Sequence, residues 1–424
     1  MKEKYKISVV VPVHNTGKFL LECLNSLCNQ TIFSQLEIIC IDSSTDESTE
    51  IIETYEKKYP NIILIRDDNS SYGYKINKGI SVAQGKYLGI VDSDDSIESN
   101  MYEYLYDCIQ KYNVDFVKSD YSCFISENQQ NKIVDYINNL GDLSLYGKVL
   151  NCSVCPDILY SKGVSIWTGL YSLSFLRQKN IKLHESEGAS FQDTGFGIFT
   201  HVFARKFYYI QKSFYRYRID NPNSSVKSNK KYNLIKYEME FVSKELEKYN
   251  VKNIDILNAV KIDKLRTYYW NYNRLEKNTA EKFLEEIHEE VYEDFFTSGL
   301  YFRLSENFID ILDILLNRRK NLEDNLSNSE IILVSAGKLG KKMLSYAKTK
   351  GFNSIKYVMD NNAKEIIVDG INIKVNSIQK MDGKYIYLIM NAKNSEVLYN
   401  QLLDIGISKD NILVFRNFPF GAGI

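Results

Sequence analysis

Three aspartates, Asp92, Asp94 and Asp95, stand almost together directly after the apolar run Tyr87–Val91. Carboxylates this close repel one another at the end of a buried strand unless a cation offsets them. Oxygen ligands suit Mg2+ or Mn2+, which one or two carboxylates commonly share with substrate phosphates. The alternative is structural, a polar turn whose aspartate caps the helix beginning at Met101. Two more polar clusters follow apolar runs in the same way, Val13-His14-Asn15 and Asp42-Ser43-Ser44-Thr45-Asp46. Cys152 and Cys155 form a C-x-x-C, without the second pair that a zinc site needs. Of four histidines, His14 reads as a loop support, His201 as a core residue and His288 as a solvated one. His184 could complete a metal shell, with a surface or core role as the alternative.

Such clusters need elements that bring them to one place. Ile7–Val13, Leu36–Ile41, Ile62–Ile65 and Tyr87–Val91 are apolar runs that predict buried strands. Helical spacing marks Phe19–Cys28, Ser48–Tyr59, Tyr74–Gln84 and Met101–Lys111, before a further strand at Val114–Val117. Alternation of this kind demands a mainly parallel sheet covered on both faces. Ligands of open sheets sit beyond the carboxyl ends of the strands, where all three polar clusters fall. Residues 121–230 read as less regular and residues 231–325 as mainly helical. The polar stretch Asn321–Asn328 reads as a linker, and a second β-α-β pattern runs from Glu330 to about Phe415. The expected division is therefore 1–230, 231–325 and 329–424.

A chain of 424 residues suggests two or three domains at roughly 150 residues each. With 44% hydrophobic residues and only 5 prolines, disorder is excluded as a class. Fifty-three basic against fifty-four acidic residues leave no basic excess for wrapping nucleic acid. No apolar run reaches the length of a transmembrane helix. The basic start and Ile7–Val13 resemble a signal peptide only superficially, because the run is short, β-branched and broken by Pro12. Seven scattered cysteines are most simply explained by a reducing compartment, the cytoplasm.

Taken together, the motifs resemble those of the family 2 glycosyltransferases with the nucleotide-diphospho-sugar (GT-A) fold. The first strand ends in Pro12-Val13-His14-Asn15, a P-x-x-N. The family's D-D-G-S-T-D is present in altered form at Asp42–Asp46, with Ser43-Ser44 where the family has Asp-Gly. Asn77, Gly79, Ala83, Gly85 and Tyr87 match N-x-G-x-x-x-A-x-G-x-Y, and Asp92-Ser93-Asp94 is the D-x-D. The resemblance implies donor contacts from Pro12, Val13, Asn15, Lys75, Asn77, Asp92 and Ser93. Asp42 would accept from the base N–H, favouring uracil, and Asp94 with Asp92 would hold Mn2+ or Mg2+, His184 adding to the shell. Ser165–Tyr171, with Trp167, resembles the segment under the acceptor, and Gln192-Asp193 the family's E-D pair, whose Asp is the catalytic base. Tyr215–Arg218 with Asn223-Ser224-Ser225 resembles a later motif in which Arg218 closes over the diphosphate; its alternative is an edge strand of alternating Tyr and Arg.

The fold class implied is α/β: a GT-A domain with a mainly parallel sheet, a helical middle region and a smaller Rossmann-like domain. The reaction implied is inverting, metal-dependent transfer of a hexosyl group from a UDP-sugar to a glycan or lipid-linked glycan. That would serve bacterial surface polysaccharide, capsule or lipooligosaccharide, at the inner face of the cell membrane, with peripheral membrane contacts, assembly partners or a homo-oligomer. Two rival classes are weighed. A sugar-nucleotide pyrophosphorylase needs a glycine-rich basic loop after the first strand, and His14–Lys18 has one Gly and one Lys. A non-catalytic carbohydrate-binding scaffold would not need Asp92, Asp94 and Asp193 together. In the last domain, Ser335-Ala336-Gly337-Lys338-Leu339-Gly340 is a G-x-G-x-x-G with serine in the first place, and Asp360 falls near a ribose-holding position. That defective fingerprint favours a docking or nucleotide-sensing module, with no NAD expected.

Overall fold

A seven-residue run of β-branched character, with every side chain buried, makes β1 (Ile7–Val13) the middle of the first sheet. With it run β2 (Leu36–Asp42), β3 (Ile62–Arg66) and β4 (Tyr87–Ile90), the four strands parallel to one another. The sheet continues with β5 (Ser96–Ile97), β6 (Phe116–Glu127), β7 (Gln130–Ile137), β8 (Val149–Leu150), β9 (Gly169–Ser172) and β10 (Phe207–Arg218). Its order is β3-β2-β1-β4-β9-β6-β10-β5, with β7 on β6 and β8 on β10. Because β9 is antiparallel to both β4 and β6, and β10 is parallel to β6, the carboxyl ends of β1, β2, β4, β6 and β10 share one edge. This computed structural model describes residues 4–127, 130–222 and 231–420.

Helices cover the sheet closely where small residues permit. A Cβ at Gly79, on the helix Tyr72–Val82, would lie 2.4 Å from Val10 Cγ2, so glycine is what lets that helix lie on β1. The segment 121–230, expected to be less regular, instead holds the end of the 12-residue strand β6, all of the 12-residue strand β10 and the helix Gln192–Phe203. Register shifts between Ile210 and Tyr215 break the strict alternation of β10, which hides the strand from a period-two reading.

Two units divide between Lys264 and Leu265, inside the helix Ile254–Arg274, rather than at 230. The helix Leu234–Lys248 therefore goes with the first unit. In the second unit, β11 (Glu330–Val334), β12 (Ile355–Met359), β13 (Glu365–Val368), β14 (Ile371–Asn376), β15 (Tyr385–Met390) and β16 (Ile412–Phe415) form a separate sheet. Its order is β13-β14-β12-β11-β15-β16, parallel except for the β13–β14 pair. The expected linker is instead part of the helix Arg318–Asn328. Four-residue spacing puts Leu322 and Leu326 on one face, buried in the core under β11. All seven cysteines are free. Among the described residues, no helix is long and apolar enough to cross a membrane.

Candidate active site

Beyond β4 the chain turns through Asp92–Asp95 at the common carboxyl edge. Asp95 faces inward: its carboxylate accepts from the Tyr215 hydroxyl at 2.8 Å and from the Arg218 backbone N–H at 2.7 Å. Asp92 and Asp94 remain partly exposed. Asp92 accepts from the Tyr72 hydroxyl at 3.0 Å, and Asp94 from the Asn221 amide at 2.7 Å. Ser93 pairs with Thr16, oxygen to oxygen, at 2.7 Å. Burial first, then the charges of Asp94 and Asp193, push the Asp92 carboxyl up to about 7. Burial and the same aspartate run push Asp95 well above the carboxylate range. Like charges left this close suit a divalent cation. Among the described residues no group of three or more His, Cys, Asp or Glu is arranged as a metal cage. Asp92 and Asp94 instead fit the pattern in which two carboxylates leave the remaining positions to phosphate oxygens and water.

Asp193 occupies the first turn of the helix Gln192–Phe203. The residue before that helix, Phe191, has φ +67°, a left-handed conformation that a bulky side chain rarely adopts. Strain of this sort persists where surrounding structure enforces it, commonly at functional sites. Burial, then the charge of Glu238, raises the Asp193 carboxyl to about 6, while Lys118 and two backbone N–H groups pull it down. Lys118 is itself buried, and burial with its neighbour Lys162 brings it down to about 7. Tyr72 donates to Asp92 and lies within electrostatic reach of Asp193; burial, then these charges, push its hydroxyl pKa up. Trp167 lines an aromatic layer alongside: it stacks on Tyr217 at 5.5 Å, leans on Tyr215 at 4.2 Å and meets Tyr121 edge-on at 4.7 Å. Through Tyr215, which also accepts from the Asp92 N–H at 3.0 Å, that layer supports the aspartate turn.

Several expected donor and acceptor contacts are used internally instead. The Lys75 ammonium is buried and donates to the Val13 carbonyl at 2.8 Å, pinning the end of β1; burial lowers its pKa to about 8. Pro12 and Val13 are buried in β1, and Asn15, at φ +53°, accepts from the Thr45 N–H at 2.8 Å. Asn77 binds Leu183 through both amide atoms and donates to Glu185, ordering the 183–185 segment. Gln192, expected beside the acceptor, is buried and holds Ser186, Gly188 and Ser190. The Arg218 guanidinium is buried between the rings of Phe19 and Phe124 and bound to Glu22, Ser126, Asp220 and the Asp94 carbonyl. It braces the aspartate turn from inside and presents no face to a diphosphate. His184 is not beside the aspartates: it pairs with Glu238 at 3.0 Å and stacks on Phe241. Asp42 is fully buried by Ser44, Thr49 and Arg66, so a base N–H would reach it only once the half-exposed Arg66 side chain moves aside. Asn223-Ser224-Ser225 lies outside the described residues.

Tyr72, Lys118 and Glu238 are the site residues that the motifs did not single out. Two of them carried a signal. Glu238 falls on the apolar face formed by Ile235, Met239, Val242 and Leu246, and Lys118 sits within a buried strand. A lone charge in such a stripe needs a partner or a task.

Comparison with known proteins agrees with this geometry. Residues 8–159 match glycosyl transferase family 2. The uncharacterized glycosyltransferase YibD of Escherichia coli is 29% identical over 330 residues, covering 72% of this chain and 89% of YibD. The glycosyltransferase GlyG of Streptococcus pneumoniae is 42% identical over 117 residues, covering 27% of this chain and 38% of GlyG. Another relative from that organism, GlyA, is 31% identical, and the match spans 30% of its length. In structure, residues 1–349 of S. aureus TarS superpose with a TM-score of 0.56 at 17% identity, covering 89% of this chain and 97% of TarS 1–349, a likeness of fold. The chain is a glycosyltransferase, and its N-terminal unit is a family 2 domain of GT-A fold.

Proposed function

We propose that the first unit transfers a sugar, with inversion, from a UDP-sugar to a glycan hydroxyl in bacterial surface polysaccharide assembly. The observation that supports this reading is the partly exposed pair Asp92 and Asp94 at the carboxyl edge of the sheet, together with Asp193, its carboxyl near 6, partly exposed in the first turn of its helix. A base poised near neutral pH takes a hydroxyl proton efficiently. The acceptor hydroxyl gives its proton to the Asp193 carboxylate as its oxygen bonds to the anomeric carbon. On the opposite face, the bond from that carbon to the diphosphate oxygen breaks, and a single displacement inverts the centre. Asp92 and Asp94 would hold Mn2+ or Mg2+, which supplies charge neutralisation for the departing diphosphate. Tyr72 orients Asp92, and the Trp167 layer offers an apolar wall to a sugar ring.

The relatives make the donor and acceptor classes worth testing first. TarS was solved with UDP-GlcNAc. A Bacillus spizizenii relative, 48% identical over 98 residues, is a poly(ribitol-phosphate) beta-glucosyltransferase. A panel of nucleotide sugars, tested for hydrolysis and thermal stabilisation with Mn2+, is the direct experiment. The expected result is hydrolysis of a UDP-sugar that chelator abolishes. Stabilisation without hydrolysis of any donor would favour the binding-scaffold class instead.

A further inference from the structure

Behind Asp193 lies a second carboxylate that the transfer chemistry does not require. Glu238, on the helix Leu234–Lys248, is 1% exposed. One of its oxygens accepts from the backbone N–H of Gly195 at 3.2 Å, in the first turn of the Asp193 helix. The other accepts from His184 Nδ1 at 3.0 Å. The His184 ring is held in turn by parallel stacking on Phe241, 4.5 Å away and 7° from coplanar.

The local sequence is shaped around this contact. Glycine inside a helix is unfavourable relative to alanine. At Gly195 a Cβ would stand 2.5 Å from Glu238 Oε1 and 3.3 Å from a Val242 methyl. Glycine is therefore what allows the carboxylate to reach the helix's first turn. Placing a buried anion next to the base is unfavourable for stability, since both carboxylates lose hydration. A purely structural tie could have used a neutral amide at 238.

We propose that Glu238, oriented by His184, is a positioning residue for Asp193 that fixes the first turn of its helix and strengthens its pull on the acceptor proton. This rests on Asp193 being the base. The charged and titratable groups facing Asp193 are Glu238 from its helix, Lys118 from β6, Asp92 from the turn after β4 and Tyr72 from the helix Tyr72–Val82. Among the described residues Lys118 is the cation that opposes Glu238, and its own charge is weakened by burial beside Lys162.

The test compares Glu238→Gln, His184→Phe and Asp193→Asn in the full chain, with the UDP-sugar identified by the donor panel. Glu238→Gln keeps the shape and an acceptor oxygen but removes the charge. It should lower the transfer rate about tenfold, leave donor affinity by calorimetry unchanged, and move the acidic limb of kcat/KM to lower pH by roughly one unit. His184→Phe keeps the stack on Phe241 and should move the limb the same way by less, because burial raises the Glu238 carboxyl and His184 acts against that, favouring its ionised form. A folded Glu238→Gln that loses thermal stability with its limb unmoved would overturn the proposal. If Glu238→Gln fails to fold, an unmoved limb in His184→Phe overturns it instead. Asp193→Asn separates the two readings: if it retains transfer, the base itself is misassigned. If it is inactive while Glu238→Gln matches the parent, only the role of Glu238 falls.

Discussion

Each of the two sheets ends its central parallel strands in a polar loop, and the two loops treat their carboxylates differently. In the first unit, Asp92 and Asp193 are partly exposed, and burial, then repulsion from neighbouring carboxylates, raises both above the carboxylate range. In the second, Asp360 is taken up by its own loop. Its oxygens accept from the backbone N–H groups of Ala336 at 2.9 Å, Asn362 at 2.8 Å and Ala363 at 3.3 Å. Ser335, at φ +112°, is likewise bound by the Asn391 amide at 3.3 Å. The aspartate expected near a ribose therefore braces its own loop. Similar topology gives two strand-end crevices, but only one keeps carboxylates whose needs the chain itself does not meet. Function follows that residue-level difference and not the sheet.

The largest effect that would break this contrast is on turnover. Asp193→Asn should reduce the transfer rate by about 10²–10⁴ while donor affinity by calorimetry stays within a few-fold, since the base meets only the acceptor. A variant transferring at near-parental rate would remove the functional half of the comparison. Next comes the donor side. Asp94→Asn should weaken donor binding in the presence of Mn2+ by roughly tenfold or more, because its partner is the metal-bound diphosphate. Parental donor affinity in that variant, with and without chelator, would show that the aspartate run is a capped turn and not a cation site.

Much of this arrangement was legible in the sequence, for physical reasons that also explain the failures. Strands such as Ile7–Val13 and Leu36–Asp42 are mainly apolar runs, and those of the first ninety residues fall within about two residues of their predicted ends. The turn carrying Asp92 and Asp94 also follows from local pattern, whereas the helix that carries Asp193 does not. What a motif cannot tell is which way a side chain faces. Lys75, Asn77, Gln192 and Arg218 lie at matching positions, yet each is consumed by backbone or buried partners. The Arg218 direction depends on β10 pairing with β5 and β6, contacts about a hundred residues away in sequence. Glu238 and His184 meet across 54 residues, a distance over which composition carries no register.

A third experiment sharpens the comparison through stability. A carboxyl whose pKa is raised by folding binds its proton more tightly folded than unfolded. Between its ordinary 3.8 and about 6, Asp193 is therefore more protonated in the folded state, so stability falls as pH rises through that window and stays lower above it. At 1.36 kcal/mol per unit the full effect is about 3 kcal/mol, and partial exposure reduces it to roughly 1–2. Asp193→Asn, neutral at every pH, should melt roughly 2–6 °C above the parent at pH 8 and show no such gain at pH 3.5. Thermal scans of both proteins across that range test it. A variant less stable than the parent at pH 8 would mean that Asp193 caps its helix and is not held against its preference.

The smallest expected effect on activity belongs to the other crevice. Asp360→Ala leaves three backbone N–H groups of the loop after β11 and its neighbour without their acceptor, at a cost of about 1–3 kcal/mol. The second unit should therefore melt several degrees lower at pH 8, because the loop loses those bonds. Transfer by the first unit should stay within about twofold when measured well below that melting point. Differential scanning calorimetry with parallel rate measurements reads both quantities from one preparation. Asp193→Asn and Asp360→Ala are thus expected to move in opposite directions on both axes, one more stable and inactive, the other less stable and active. If Asp360→Ala instead stabilises the chain, its carboxylate is held against repulsion as well, and the second crevice would have to be counted as a site in its own right.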